Sequence, residues 1–263
     1  MSKRARHRPP PARTVARTVA RAAAVPPLYH VGVRLFATFT LAMILAFWPS
    51  YFSRLTAQPS LHHHAHGLAM TLWLGLLVTQ AALIRSGRRA LHRQIGLVSY
   101  ALVPVIVVVT ARFAHYTLQE VPALGSYGLF FLALVLLTLV AFVTLFALAM
   151  VYRGQPAVHA RFMIATLFPL FTPVTDRLIG RFAPSVFGMV PTLDGSPLVQ
   201  CSGFLLADAI LAGLAIWDWR RNQRQVFFVA LALIVVYQGS VLSFHRFGFW
   251  QAFGPWFLSL PLS

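Results

Sequence analysis

Apolar runs close to the roughly 20 residues that an α-helix needs to cross a bilayer recur along this chain. They fall at about 31–52, 64–85, 94–112, 128–152, 161–182, 201–219 and 226–245. Hydrocarbon offers no partner for backbone N–H and C=O groups, so a chain entering it repeatedly must form helices that satisfy their own backbone. The expected fold is therefore all-α: a polytopic transmembrane helical bundle of about seven helices. Composition agrees, because 58% of the residues are hydrophobic and only 10% are charged. A soluble domain carries about a quarter charged residues, and so little charge cannot cover a surface that faces water.

The charge that is present is strongly basic, 22 Lys and Arg against 5 Asp and Glu. In a membrane protein basic loops mark the cytoplasmic side. Seven basic residues lie in the first 27, and Arg34, Arg85, Arg88, Arg89, Arg93, Arg153, Arg161, Arg220, Arg221 and Arg224 follow at alternate helix ends. The other five, Arg54, Arg112, Arg177, Arg181 and Arg246, lie nearer the opposite ends. This alternation predicts an N-terminus inside and a C-terminus outside. Tyr29, Tyr152, Trp217 and Trp219 would then mark the inner interface, and Trp48, Tyr51, Tyr116, Tyr127, Trp250 and Trp256 the outer one. The expected partners are the lipid bilayer and anionic lipid at the basic face, with no nucleic acid.

Three regions follow. Residues 1–27 read as a basic, disordered cytoplasmic tail, although Arg13, Arg17 and Arg21 would share one face of a lipid-bound helix. Residues 28–245 read as the seven-helix domain, and 246–263 as an aromatic interfacial segment. The apolar run after the tail is longer than the core of a cleaved signal peptide. Cys201 is the single cysteine, which excludes an internal disulfide and any CxxC motif.

Ten histidines are present, most of them at helix ends. His62, His63, His64 and His66 precede or open helix two, His115 follows helix three and His245 closes helix seven. Neutral imidazole ligates zinc and haem iron. The group therefore offers a metal site from His62, His66 and His245, or a cofactor site using His66 and His115. The competing reading is that they hydrogen-bond water and headgroups at the interface. At the other face His92, in RSGRRALHRQIG, and His159, in RGQPAVHARFMIAT, open helices three and five at one level. A bis-imidazole cofactor site, an anionic headgroup contact or a quinone contact would each use such a pair, and helix starts favour anions.

Ionisable residues inside a membrane are costly and are functional candidates by default. Asp208 lies about eight residues into helix six, and Asp176 and Arg177 lie in the outer third of helix five. A pair between Asp208 and Arg177 or Arg181 would neutralise both charges. Gln80, Tyr100, Tyr237 and Gln238 are expected to face the same interior. Pro169 and Pro173 make helix five the weakest of the seven patterns.

The order HHHAHG, Trp73, Gln80, LIRSGRRALHRQIG, RGQPAVHARFMIAT and TDRLIGR resembles an uncharacterised family of bacterial multi-pass membrane proteins. The resemblance runs from about residue 60 to 182 and rests on His66, Gln80, His92, Arg93, Gly96, His159 and Met163, with Arg177 as a later match. Where the family pattern has Trp and a second Arg near Met163, this chain has Phe162 and Ala165. The resemblance implies a bacterial inner membrane and no particular activity.

Three functions compete. One is a membrane redox protein binding haem b, loosely similar to cytochrome b561, with a quinone or another electron-transfer partner. Such cytochromes place two histidines about 13–14 residues apart on one helix, roughly 20 Å of rise, whereas His92 and His115 are 23 apart. The second is a proton-coupled permease using Asp208, Asp176 and Arg177, with the prolines breaking helix five. The third is a zinc-dependent intramembrane hydrolase with His62, His66, His245 and Asp208 as ligands.

Overall fold

A computed structural model describes residues 27–58, 60–120 and 124–262. The basic tail, Pro27 apart, lies outside the described residues. Among the described residues seven helical segments are long and apolar enough to cross a membrane: Leu28–Ala57, Leu61–Arg85, Arg89–Gln119, Ser126–Val151, Pro156–Phe182, Gln200–Asn222 and Val226–Phe244. The chain is a multi-pass integral membrane protein, and each span falls within a few residues of an apolar run in the sequence.

The spans are built from α1 (Pro27–Phe47), α2 (Leu61–Arg85), α3 (Arg89–Gly96) with α4 (Val98–Gln119), α5 (Ser126–Val151), α6 (Pro156–Ala165) with α7 (Phe171–Phe182), α8 (Gln200–Asn222) and α9 (Val226–Phe244). A last helix, α10 (Gly248–Leu258), follows. Two spans are discontinuous. The third bends at Leu97, where exposed, basic α3 meets apolar α4. The fifth breaks between α6 and α7 through a 3-10 turn at Phe168–Leu170. Pro169 and Pro173 have no N–H to give the carbonyls one turn back, so the helix cannot run through.

That broken span is the most enclosed of the seven. Of its apolar window 67% is buried, against 56% for α5 and 28–33% for the others. Irregular backbone is tolerated at membrane depth only where protein surrounds it. Here α1, α5 and α9 pack on α6, while α1 and α8 pack on α7. Trp73, Phe130, Phe142 and Phe227 are fully buried, while Leu41, Leu72, Val108, Val140, Leu205 and Val236 point outward to lipid. Lipid tails are as apolar as leucine, so close packing holds such helices together. Trp73 meets Phe142 edge-on at 5.0 Å, an arrangement worth about 0.5–1.5 kcal/mol. Gly203 lets α8 press on α7: a Cβ there would strike Thr175 Oγ1 and sit 3.2 Å from the Thr172 Cα.

At the far end of the bundle a two-residue hairpin turns at Asp194 and Gly195, both with positive φ. Asp194 Oδ2 accepts the Tyr127 backbone N–H at 3.0 Å, so a carboxylate from a distant loop caps the start of α5. The aromatic C-terminal segment folds back as α10 against α4 and α5. Trp250, expected at the interface, is instead buried and donates Nε1–H to the Leu129 carbonyl at 2.9 Å.

Candidate functional site

The break in span five gathers polar side chains from four helices. Thr172 and Asp176 stand one turn apart on α7, and Gln200, in the first turn of α8, lies against the Asp176 carboxylate. Tyr237 reaches in from α9, its hydroxyl bonded to Thr138 of α5 at 2.8 Å and lying toward Thr172. Thr172, Gln200 and Tyr237 are buried, yet Thr172 Oγ1, Asp176 Oδ1 and Gln200 Oε1 have no hydrogen-bond partner. Unmet polar atoms in a low-dielectric interior are costly, and they mark a place for a bound water, an ion or a polar group of a ligand. Arg177 lies within electrostatic reach of Asp176 without forming an ion pair with it. Its guanidinium stacks 4.1 Å from the centre of the Phe47 ring, and Nη1 donates to the Pro173 carbonyl at 2.9 Å.

Asp208 pairs with neither Arg177 nor Arg181. Its Oδ1 accepts a hydrogen bond from Gln238 Nε2 at 3.0 Å. The ion pair that forms among the described residues joins Arg161 to Asp218, with side chains 4% and 0% exposed. Arg161 Nε and Nη2 donate to the two carboxylate oxygens at 2.6 and 2.5 Å, and Asn222 Nδ2 donates to Oδ1 at 2.8 Å. This fork ties the first half of the broken span to the end of α8. Asp218 was not among the sequence candidates, because in IWDWRRN it reads as part of a wet, aromatic and basic helix end.

At the same end of the bundle, His92 and His159 stand 6.4 Å apart between ring centres with nearly perpendicular planes. The Gln80 amide holds the first. Its oxygen accepts the Gly96 N–H at 3.1 Å, its nitrogen donates to the His92 carbonyl at 3.0 Å, and the same nitrogen donates to His92 Nδ1. The two backbone groups fix which way the amide points. Nδ1 of His92 is therefore the acceptor, and the ring proton sits on Nε2. His159 has the opposite tautomer, since its Nδ1–H points at the Ala149 carbonyl at 2.8 Å and leaves Nε2 a lone pair. Haem ligation by the pair needs a lone pair on both Nε2 atoms. In this state only His159 supplies one, so the pair as built does not fit a bis-imidazole haem. Tyr100, expected inside, is 44% exposed and accepts from Arg153 Nη1.

The histidines of the other end are spread over different partners. His62 stacks on Tyr116, His66 stacks on Phe113 and bonds Thr110 Oγ1 through Nδ1 at 3.0 Å, and His63 bonds Ser60. His115 is wholly buried, edge-on to Phe257, and neither of its nitrogens is bonded. His245 lies just past α9, with Arg246 Nε donating to its Nε2 at 3.4 Å. Burial pushes the His245 imidazole below its ordinary pKa, Arg246 adds to that shift and Asp194 opposes it. Among the described residues no three His, Cys, Asp or Glu side chains are grouped to hold a metal ion.

The fold and these clusters define a seven-span α-helical membrane protein with a polar interior at a broken central helix. No protein-family model, curated protein or solved structure matches the chain.

Proposed function

We propose that this protein is an ion-coupled permease whose translocation site is the break in span five. The observation that carries the reading is that the most enclosed span is the broken one, and that unmet Thr172, Asp176 and Gln200 oxygens converge on it. Secondary transporters bind substrate and coupling ion at discontinuous helices, where half-helix ends and unwound backbone offer partners that a continuous helix withholds. The haem reading draws less support, because the His92 tautomer leaves one axial position without a donor.

Membership of the bacterial family with the His-Arg-x-x-Gly helix start is supported by the convergence of Gln80, His92, Gly96 and His159, four of its motif positions. The basic helix ends support an N-terminus on the cytoplasmic side of a bacterial inner membrane, with anionic lipid along that face.

Hydrogen–deuterium exchange of the protein in lipid nanodiscs tests the permease reading. A permease opens its site to water, so backbone amides of residues 164–176 exchange within minutes while those of α5, the next most enclosed span, stay protected. Equal protection of the two spans would sink it.

A further inference from the structure

The end of α8 carries positive charge that nothing among the described residues balances. Arg220 and Arg221, in its last turn, are exposed and make no ion pair there. The carboxylate nearest to them in sequence, Asp218, is taken: it is wholly buried, and its oxygens accept from Arg161 and Asn222. The negative end of the helix dipole offsets about half a charge, so most of the charge on the two arginines remains.

A groove of about 570 Å³ runs from these arginines along the outer side of α8, lined by Gly213, Ile216, Trp217, Arg220 and Arg221. These positions recur at three and four residues, so they share one face of the helix. Ile216 is exposed, and a Cβ on Gly213 would meet nothing within 4 Å, so the groove is open where α8 faces lipid. Gly213 and Arg221 are eight residues apart, roughly 12 Å along the axis. Trp217 stands between the apolar and charged halves, the level that tryptophan favours in a membrane.

Each half of the groove selects one part of an occupant. Adjacent guanidiniums hold phosphate oxygens through forked N–H groups. Ile216 and the space over Gly213 offer no hydrogen bond and suit an acyl chain. Water would leave the charge unbalanced, and a small soluble anion would leave the apolar half uncovered. A zwitterionic headgroup brings an ammonium that the arginines repel, whereas a net negative headgroup supplies the charge they lack.

We propose that the α8 groove binds one anionic phospholipid, its phosphate on Arg220 and Arg221 and an acyl chain along Ile216 and Gly213. The site rests on the reading of the basic helix ends as contacts for anionic lipid and gives that contact one place; it does not depend on the permease.

The test uses the full-length protein, delipidated in detergent and titrated with phosphatidylglycerol or with phosphatidylcholine of the same chains. Bound lipid is counted by native mass spectrometry. One phosphatidylglycerol should bind at least about tenfold more tightly than phosphatidylcholine. In Arg220→Gln with Arg221→Gln that preference should disappear. In Gly213→Leu, whose side chain enters open space, binding of the first lipid should weaken with the preference kept. Arg88→Gln with Arg89→Gln, an exposed pair outside the groove, should change neither. A preference retained in the α8 pair, or lost as fully in the Arg88 and Arg89 pair, overturns the site and leaves the general basic face standing. Equal binding of the two lipids by the unaltered protein overturns both. Release of the bound lipid by inorganic phosphate at equal concentration would make the ligand a soluble anion and overturns the site as well.

Discussion

Asp218→Ala is the substitution whose cost follows most directly from the geometry. It removes both carboxylate oxygens from Arg161 and the acceptor of Asn222. The guanidinium keeps one bond, to the Ala157 carbonyl at 2.5 Å, and cannot reach water, because its side chain is 4% exposed. Breaking a buried pair from one side costs about 3–5 kcal/mol, since the remaining charge stays buried and uncompensated. That is about 100-fold or more in the folding equilibrium. Replacing both partners by apolar groups, as in Arg161→Met with Asp218→Leu, should restore most of the loss, because such replacements are neutral or stabilising by about 1–4 kcal/mol. The assay is reversible unfolding in mixed micelles titrated with sodium dodecyl sulfate and followed by far-UV circular dichroism. A loss below about 1 kcal/mol for Asp218→Ala, the range of an exposed pair, would refute the claim that the pair is shut away from water. So would a double variant no more stable than the single one.

Two further predictions follow from the histidines. Burial lowers the His245 pKa from its ordinary 6.5, with Arg246 contributing and Asp194 opposing. Between that lowered value and 6.5 the unfolded chain binds more protons, so stability is fully present above 6.5 and is lost as pH falls through the window; His245→Gln should flatten this dependence, and an unchanged pH profile in the variant would contradict the assignment. For His92, nitrogen-15 shifts of labelled protein should report Nδ1 as the unprotonated ring nitrogen and Nε2 as protonated, with the pattern lost in Gln80→Leu. A protonated Nδ1 in the native protein would overturn the Gln80 orientation and reopen haem ligation by the pair.

The spans were legible because lipid imposes a length and an apolar character that any window along the sequence can detect. The break was legible too, since Pro169 and Pro173 cannot continue a helix. That the broken span lies at the centre was not. Enclosure is a property of neighbours, and the polar residues that weaken the span as an apolar pattern are the ones that need protein around them. Asp218 was missed for a related reason. It stands between two tryptophans and just before two arginines, the composition of a wet helix end, and only the depth at which Arg161 packs against it makes it a buried ion pair. Gln80, His92, Gly96 and His159 were visible as spaced positions, but no spacing shows that an amide on α2 is clamped by two backbone groups of α3. Trp250 has the composition of an interfacial residue, and only the fold-back of α10 onto α4 and α5 buries it.

The most direct measurement uses Cys201, the single cysteine of the chain, which lies beside Asp176 at the start of α8. A membrane-impermeant thiol reagent is applied to right-side-out and to inverted vesicles, and modification of Cys201 is read by mass spectrometry. A permease opens the break to each side in turn, so Cys201 should be modified in both preparations. Modification from one side only, with the protein intact in both, would contradict the account.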